Sequence, residues 1–125
     1  ITTEVSKAIE EAEKIVIGPS NPILSIGPIL SLENLKEKLI NDEATYIVSP
    51  FIQDKAIKGP SKKNFEDLGY KSDITGIKKF YDNVGNFYIV HNGDSDDAEN
   101  TIEKNILFKS IADSISLARY IVDHE

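Results

Sequence analysis

The sequence contains no cysteine and no methionine, and its only histidines are His91 and His124. Without cysteine, the chain cannot form disulfides, thiolate metal sites or a thiol nucleophile. Two histidines are too few for a histidine zinc site, and no HExxH pair is present. A transition-metal enzyme is therefore disfavoured. The absence of methionine, with a helical pattern that starts almost at Ile1, predicts a piece of a longer polypeptide.

Long apolar runs and an excess of positive charge are also missing. No segment approaches the roughly 20 apolar residues that a membrane span needs, and no signal-peptide pattern opens the chain. We therefore expect a soluble, cytoplasmic protein that is not bound to a membrane. The formal charge of -7 disfavours nucleic-acid binding, because neutralising phosphates needs a basic face. The chain does have 125 residues at 40% hydrophobic composition, enough for one compact domain.

Short apolar runs alternate with helical patterns along the chain. Helices are predicted at 3–13, from Pro28 or Ser31 to 40, and at 61–68, 73–81, 95–103 and 111–122; strands are predicted at 14–17, 45–49, 86–90 and 105–108. This alternation predicts an α/β fold with a mainly parallel, Rossmann-like sheet flanked by helices. We expect residues 1–125 to form a single α/β unit that is part of a larger domain. The carboxyl ends of parallel strands would then bring loops 18–27, 49–61 and 91–94 to one edge.

The stretch GPSNPILSIGPIL, residues 18–30, follows a predicted buried strand. Its prolines and glycines make it look too interrupted for a helix. Its isoleucines and leucines make it too apolar for a surface loop that only connects two elements. Gly18 permits close backbone approach to a ligand, Pro22 fixes φ, and Ser20 and Asn21 can meet phosphate or ribose oxygens. Backbone amides ahead of a helix would favour an anion. The alternative is a rigid connection in which Ser20 and Asn21 cap backbone groups.

A small basic loop in this acidic chain is the second candidate for phosphate binding. Lys55, Lys58, Lys62 and Lys63 surround a turn that contains Gly59. Lysines around such a turn could hold a diphosphate or steady a phosphate leaving group. A solvated lysine-rich loop is the commoner alternative.

The acidic run after the third predicted strand allows two interpretations. Asp94, Asp96 and Asp97 could hold Mg²⁺. The favoured alternative is that they are solvated and stabilise the N-terminus of a helix. We expect His91 to be a hydrogen-bonding residue at a strand end, not a general base, because no partner that would orient it can be named.

Residues 15–32, together with 48–50 and 55–61, resemble the C-terminal half of the 2-phospho-L-lactate transferase (CofD) family. The resemblance implies transfer of a 2-phospholactyl or phosphoenolpyruvyl group from a guanosine diphosphate-linked donor to the deazaflavin Fo. That reaction belongs to coenzyme F-420 biosynthesis, uses Mg²⁺ and releases GMP. Ser20, Asn21 and Ser25 would contact the donor, and Lys55 or Lys58 would offset developing charge.

The sequence also departs from the family pattern. Gln53 and Asp54 stand where members often carry Gly-Gly or Gly-Asn, and the N-terminal half, with its Gly-Gly-Thr-Gly loop and the residues expected to hold metal and deazaflavin, is absent. We therefore expect this chain alone to be inactive. A non-catalytic nucleotide or phosphometabolite-binding module and a purely structural or oligomer-forming domain are the competing hypotheses. The predicted phosphate-binding or substrate-binding residues are Gly18, Ser20, Asn21, Pro22, Ser25, Lys55, Lys58 and Gly59.

Overall fold

The computed structural model describes residues 2–32, 34–52 and 60–125. Its helices are α1 (Thr3–Glu11), α2 (Gly27–Leu30), α3 (Leu35–Leu39), α4 (Pro60–Asp67), α5 (Ile74–Tyr81) and α6 (Ile111–Asp123), and a π-helical segment, Pro22–Ile26, precedes α2. Its strands are β1 (Ile15–Ile17), β2 (Thr45–Val48), β3 (Phe87–His91) and β4 (Thr101–Lys104).

The four strands form one parallel sheet in the order β1-β2-β3-β4. Each strand therefore pairs with its neighbour in sequence. Helical segments connect β1 to β2 and β2 to β3, whereas a loop without a helix connects β3 to β4. The predicted fold class is confirmed: the chain has a Rossmann-like α/β arrangement. Because all strands run the same way, the segments that follow β1, β2 and β3 leave the sheet at one edge.

Apolar side chains cover the two faces of the sheet and form two separate clusters. The first cluster contains Ile17 and Ile47 of the sheet and side chains from the helices between residues 22 and 81. The second contains Tyr46, Val48 and Ile89, and α6 covers it with Leu117 and Ile121. Strand residues alternate between the clusters, as the two-residue period of a strand requires.

The predicted acidic helix at 95–103 and the predicted strand at 105–108 are both wrong. Residues 94–98 have no regular structure, and the fourth strand is Thr101–Lys104. Short polar side chains compete with helical hydrogen bonds here: Ser95 accepts from the backbone N–H of Asp97, and Asp96 accepts from that of Ala98. Asp97 also takes a left-handed conformation with φ 62°, which ends any helix.

The expectation that residues 18–30 are too interrupted for a helix is also wrong, because Pro22–Leu30 is helical throughout. Pro22 and Pro28 each lie in the first turn of a helical segment, where the missing N–H of proline costs nothing. Gly27 lets the chain tighten between the two segments, since a Cβ there would lie 2.9 Å from the carbonyl oxygen of Pro22.

The single helix expected between Pro28 and residue 40 is divided into α2 and α3. Asn34, at φ 61°, separates them. Leu35 and Leu39 are buried, whereas Leu32 and Ile40 are exposed. In the part of the chain that the structure describes, no helix is both long and apolar enough to cross a bilayer.

Candidate functional site

The residues from Gly18 to Ser25 lie where β1 ends, at the edge predicted from the parallel sheet. Gly18, Pro19 and Ser20 leave the strand, and Asn21 begins the π-helical segment. Ser20 and Ser25 are exposed, and Gly18 is partly exposed with open space around its Cα. Two hydroxyl groups and a stretch of backbone are therefore accessible at this edge. Pro22 is buried and packs into the protein.

Asn21 makes hydrogen bonds with both ends of its amide group. Its Oδ1 accepts from the backbone N–H groups of Ile23 at 2.9 Å and Leu24 at 3.1 Å. Its Nδ2 donates to Oδ1 of Asn64, on α4, at 3.0 Å. Asn21 therefore caps the helical segment and fixes it to α4. The capping role that the sequence allowed therefore applies to Asn21. The Ser20 hydroxyl makes none of these capping hydrogen bonds.

The isoleucines of this stretch do not all anchor it. Ile23 and Ile26 are partly buried against the first core cluster. Ile29 is 51% exposed and does not anchor the segment, because its position in α2 faces away from the sheet.

Three of the predicted residues, Lys55, Lys58 and Gly59, lie outside the described residues. The described remainder of the lysine cluster, Lys62 and Lys63, is exposed on α4. The Asn21–Asn64 hydrogen bond ties that helix to the loop after β1. The two segments predicted to share a phosphate are therefore neighbours where the structure describes them. Sequence reasoning missed Asn64, and no motif would have revealed it.

The acidic segment does not form a metal site. Asp96 accepts hydrogen bonds from Lys78 Nζ at 2.7 Å and Thr101 Oγ1 at 2.7 Å. Burial by itself raises the pKa of Asp96, but these hydrogen bonds, with that from the backbone N–H of Ala98, outweigh it and lower the pKa to about 2. Among the described residues no three acidic or histidine side chains cluster as metal ligands. Asp96 holds the loop before β4 against α5.

His91 lies at the end of β3 and accepts a hydrogen bond at Nδ1 from the backbone N–H of Ile106, 3.2 Å away. The prediction of a hydrogen-bonding residue at a strand end is confirmed. This bond holds the segment after β4 close to β3.

A mostly apolar cavity of about 450 Å³ lies beside the start of the loop, and sequence reasoning missed it. Gly18 and Pro19 line one end; Val16, Val48 and Phe108 line it further along, with α6 forming the opposite wall. The sequence does carry a signal for it, because α6 has apolar residues beyond the two that are buried in the second cluster: Ile111, Ile115 and Val122 are exposed.

The fold defines a Rossmann-like α/β unit with accessible polar groups at the carboxyl edge of its parallel sheet. A family model described as "2-phospho-L-lactate transferase CofD" matches residues 1–114. The chain therefore belongs to the CofD family.

Curated relatives carry the same name. The chain is 36% identical over 121 residues to a 2-phospho-L-lactate transferase of Methanocaldococcus jannaschii, covering 94% of this chain and 39% of that protein. It is 38% identical over 125 residues to that of Methanococcus vannielii, covering 96% and 39%. For Methanospirillum hungatei the identity is 34% over 121 residues, covering 97% and 40%. The chain thus spans about two fifths of the length of these relatives.

Proposed function

We propose that this chain supplies the donor-binding loop of a 2-phospho-L-lactate transferase. The observation that carries the proposal is the family match over residues 1–114. The position of residues 18–25 supports it, because ligands of open parallel sheets gather at the carboxyl ends of the strands. The donor is a guanosine diphosphate-linked phospholactate or phosphoenolpyruvate, and the acceptor is the primary hydroxyl of the deazaflavin Fo.

In the proposed reaction, the acceptor hydroxyl oxygen attacks the phosphorus that bears the lactyl or enolpyruvyl group. The bond from that phosphorus to the oxygen bridging the two phosphates breaks, GMP leaves with the bonding electrons, and the hydroxyl proton is released. Such transfers depend mainly on positioning and on offsetting charge. The exposed hydroxyls of Ser20 and Ser25 would donate to the diphosphate or ribose oxygens, and Lys55 or Lys58 would offset charge on the leaving phosphate.

Mg²⁺ belongs to the proposal through the family resemblance. The described residues of this chain offer no cluster of carboxylates that fits it, so the proposal places its ligands elsewhere in a CofD polypeptide and routes no step of this chain through the metal. The deazaflavin site is likewise assigned to the part of a CofD polypeptide that this chain does not match.

The experiment that tests the proposal measures GMP release by a chimaera in which this chain replaces the matched segment of the M. jannaschii relative. With Fo, the guanylated donor and Mg²⁺, we expect turnover by the chimaera and none by the 125-residue chain alone. A folded chimaera that releases no GMP, beside an active unmodified relative, would contradict the assignment.

Variants of the loop hydroxyls test the site itself. The double variant Ser20→Ala and Ser25→Ala should raise KM for the donor by about thirtyfold, because two lost hydrogen bonds of about 1 kcal/mol each amount to about 2 kcal/mol. Ser116→Ala, which removes an exposed hydroxyl from α6, is the matched control and should leave KM unchanged. An equal effect of both changes would show that Ser20 and Ser25 do not contact the donor.

A further inference from the structure

The turn after β3 contains the only asparagine of the chain that is followed by a glycine, in the pair Asn92-Gly93. The backbone N–H of Asp94 donates to the carbonyl of His91 at 3.0 Å, which closes a four-residue turn. Gly93 has φ 94°, in the left-handed region that the third position of a type II turn requires. Asn92 and Gly93 are both exposed, and a Cβ on Gly93 would meet nothing within 4 Å. The pair is therefore accessible to solvent at the carboxyl edge of the sheet.

Asparagine is a thermolabile residue because the backbone that follows it can attack its side chain. The amide nitrogen of the next residue loses its proton, attacks the side-chain carbonyl carbon and displaces ammonia, which leaves a succinimide ring. Water then opens the ring to an aspartate or isoaspartate linkage. A following glycine favours the attack, because it has no Cβ to restrict rotation of the backbone. A hydrogen bond donated by the following N–H opposes the attack, because it retains the proton and fixes the backbone.

The hydrogen bond after the side chain distinguishes Asn92 from the other exposed asparagines. The exposed asparagines are Asn34, Asn41, Asn83, Asn92 and Asn105. After four of them the next residue donates its backbone N–H in a hydrogen bond of 3.0–3.2 Å, and these donors are Leu35, Asp42, Val84 and Ile106. In the part of the chain that the structure describes, the N–H of Gly93 donates to no group, and no hydrogen bond holds the Asn92 carboxamide. Both reacting groups are therefore free at Asn92-Gly93.

We propose that Asn92 is a site of spontaneous deamidation, selected by the free N–H of Gly93. The nitrogen of Gly93 bonds to Cγ of Asn92, and the bond from Cγ to Nδ2 breaks. Ammonia leaves with the proton that the Gly93 nitrogen has lost, and water opens the ring at one of its two carbonyl carbons. The reaction needs no group beyond this turn and solvent, so the inference is independent of the transferase reaction.

The product would change the polar edge of the sheet in two ways. Each event replaces a neutral carboxamide with a carboxylate, in a segment that already carries Asp94, Asp96 and Asp97. An isoaspartate linkage also adds one carbon to the backbone between His91 and Asp94, whose hydrogen bond closes the turn. Because the segment after β1 leaves the sheet at the same edge, the added negative charge would oppose binding of the phosphorylated donor under the proposed function.

The test is ageing of the folded 125-residue chain, or of its chimaera with the M. jannaschii relative, in mildly alkaline buffer. Peptide mapping by mass spectrometry should show an increase of one mass unit first in the peptide that contains Asn92, and isoelectric focusing should show a more acidic band. The rate should rise with pH, because the Gly93 nitrogen must lose its proton. Asn92→Gln keeps a carboxamide on a longer side chain and should remove the early mass increase, while circular dichroism shows that both proteins stay folded.

A matched control asks whether the free N–H selects the site. Asp42→Gly places a second exposed asparagine–glycine pair at Asn41, where the following N–H donates to the carbonyl of Leu39 at 3.2 Å in the parent. In the folded variant, Asn41 should deamidate more slowly than Asn92. In urea, where that hydrogen bond is lost, the two sites should react at similar rates.

A folded protein in which Asn92 deamidates no faster than Asn83 would overturn the proposal. Equal rates at Asn92 and at the control pair of the folded variant would also overturn it, since the free N–H would then not select the site. If Asp42→Gly does not fold, Ile106→Gly gives the same comparison at Asn105, because the N–H of residue 106 is bonded in the parent. A chimaera that releases no GMP but deamidates at Asn92 would contradict the proposed function and not this inference.

Discussion

Replacement of Asn21 by alanine gives the sharpest test of the loop after β1. The side chain makes three hydrogen bonds: two accepted from the backbone of Ile23 and Leu24, and one donated to Asn64. Loss of a helix N-cap costs about 1 kcal/mol, and loss of a side-chain hydrogen bond costs about 1 kcal/mol more. We therefore expect Asn21→Ala to lower the free energy of unfolding by about 2 kcal/mol.

Two companion variants separate these contributions. Asn64→Ala removes only the bond to α4 and should cost about 1 kcal/mol. The double variant Asn21→Ala with Asn64→Ala should cost about 2 kcal/mol and not about 3, because both changes remove the same bond. Asn21→Asp keeps an oxygen for the cap but loses the donor to Asn64, so its unfolding free energy should fall by about 1 kcal/mol, as in Asn64→Ala.

Urea denaturation of the parent and the four variants, followed by circular dichroism, measures these differences. Asn21→Asp also separates structure from ligand binding in the chimaera. A carboxylate beside the diphosphate should raise KM for the donor, while the melting temperature stays close to that of Asn64→Ala, which lacks the same hydrogen bond. If Asn21→Ala changes the unfolding free energy by less than about 0.5 kcal/mol, or if the double variant is additive, the capping argument is refuted.

Other substitutions test the packing and charge arguments. Gly76→Ala should destabilise the protein by about 3 kcal/mol, because a Cβ would lie 1.8 Å from the carbonyl oxygen of Lys71. The control is Gly18→Ala, where a Cβ meets nothing within 4 Å. Equal melting temperatures of the two variants would contradict this steric argument. Asp96→Asn should cost about 2 kcal/mol at pH 7, since the pKa of Asp96 falls from 3.8 to about 2 on folding beside Lys78. The stabilisation from Asp96 is present above pH 4 and is lost as the pH falls through about 2, so acid titration of the parent should show a loss that the Asp96→Asn variant lacks.

Local sequence patterns predicted most of the fold. The apolar runs at residues 15–17, 45–48 and 87–90 became β1, β2 and β3, because a run of large apolar side chains is stable only when buried. The pattern failed at residues 95–108. There the side chains of Ser95 and Asp96 accept hydrogen bonds from nearby backbone N–H groups, and the pairing of Thr101–Lys104 with β3 depends on contacts distant in sequence.

The candidate site was only partly predictable. Gly18, Ser20 and Asn21 could be placed at the end of a strand from sequence, because parallel strands share an edge. The role of Asn21 as a cap that also reaches Asn64 could not be read from either residue alone, because it requires α4 to lie against the loop. The resemblance of residues 15–32 to CofD proteins predicted the family that the match over residues 1–114 then showed.

The sequence by itself determined the α/β class, the order of the main elements and the family, because these depend on local periodicity and on a specific run of residues. The tertiary structure decided which side chains make structural hydrogen bonds and which remain exposed to solvent. It uses the amide of Asn21 and the carboxylate of Asp96 in structural hydrogen bonds and leaves the hydroxyls of Ser20 and Ser25 exposed. Among the described residues it gives β1 a partner strand on one side only, which is settled once the strands are ordered in space.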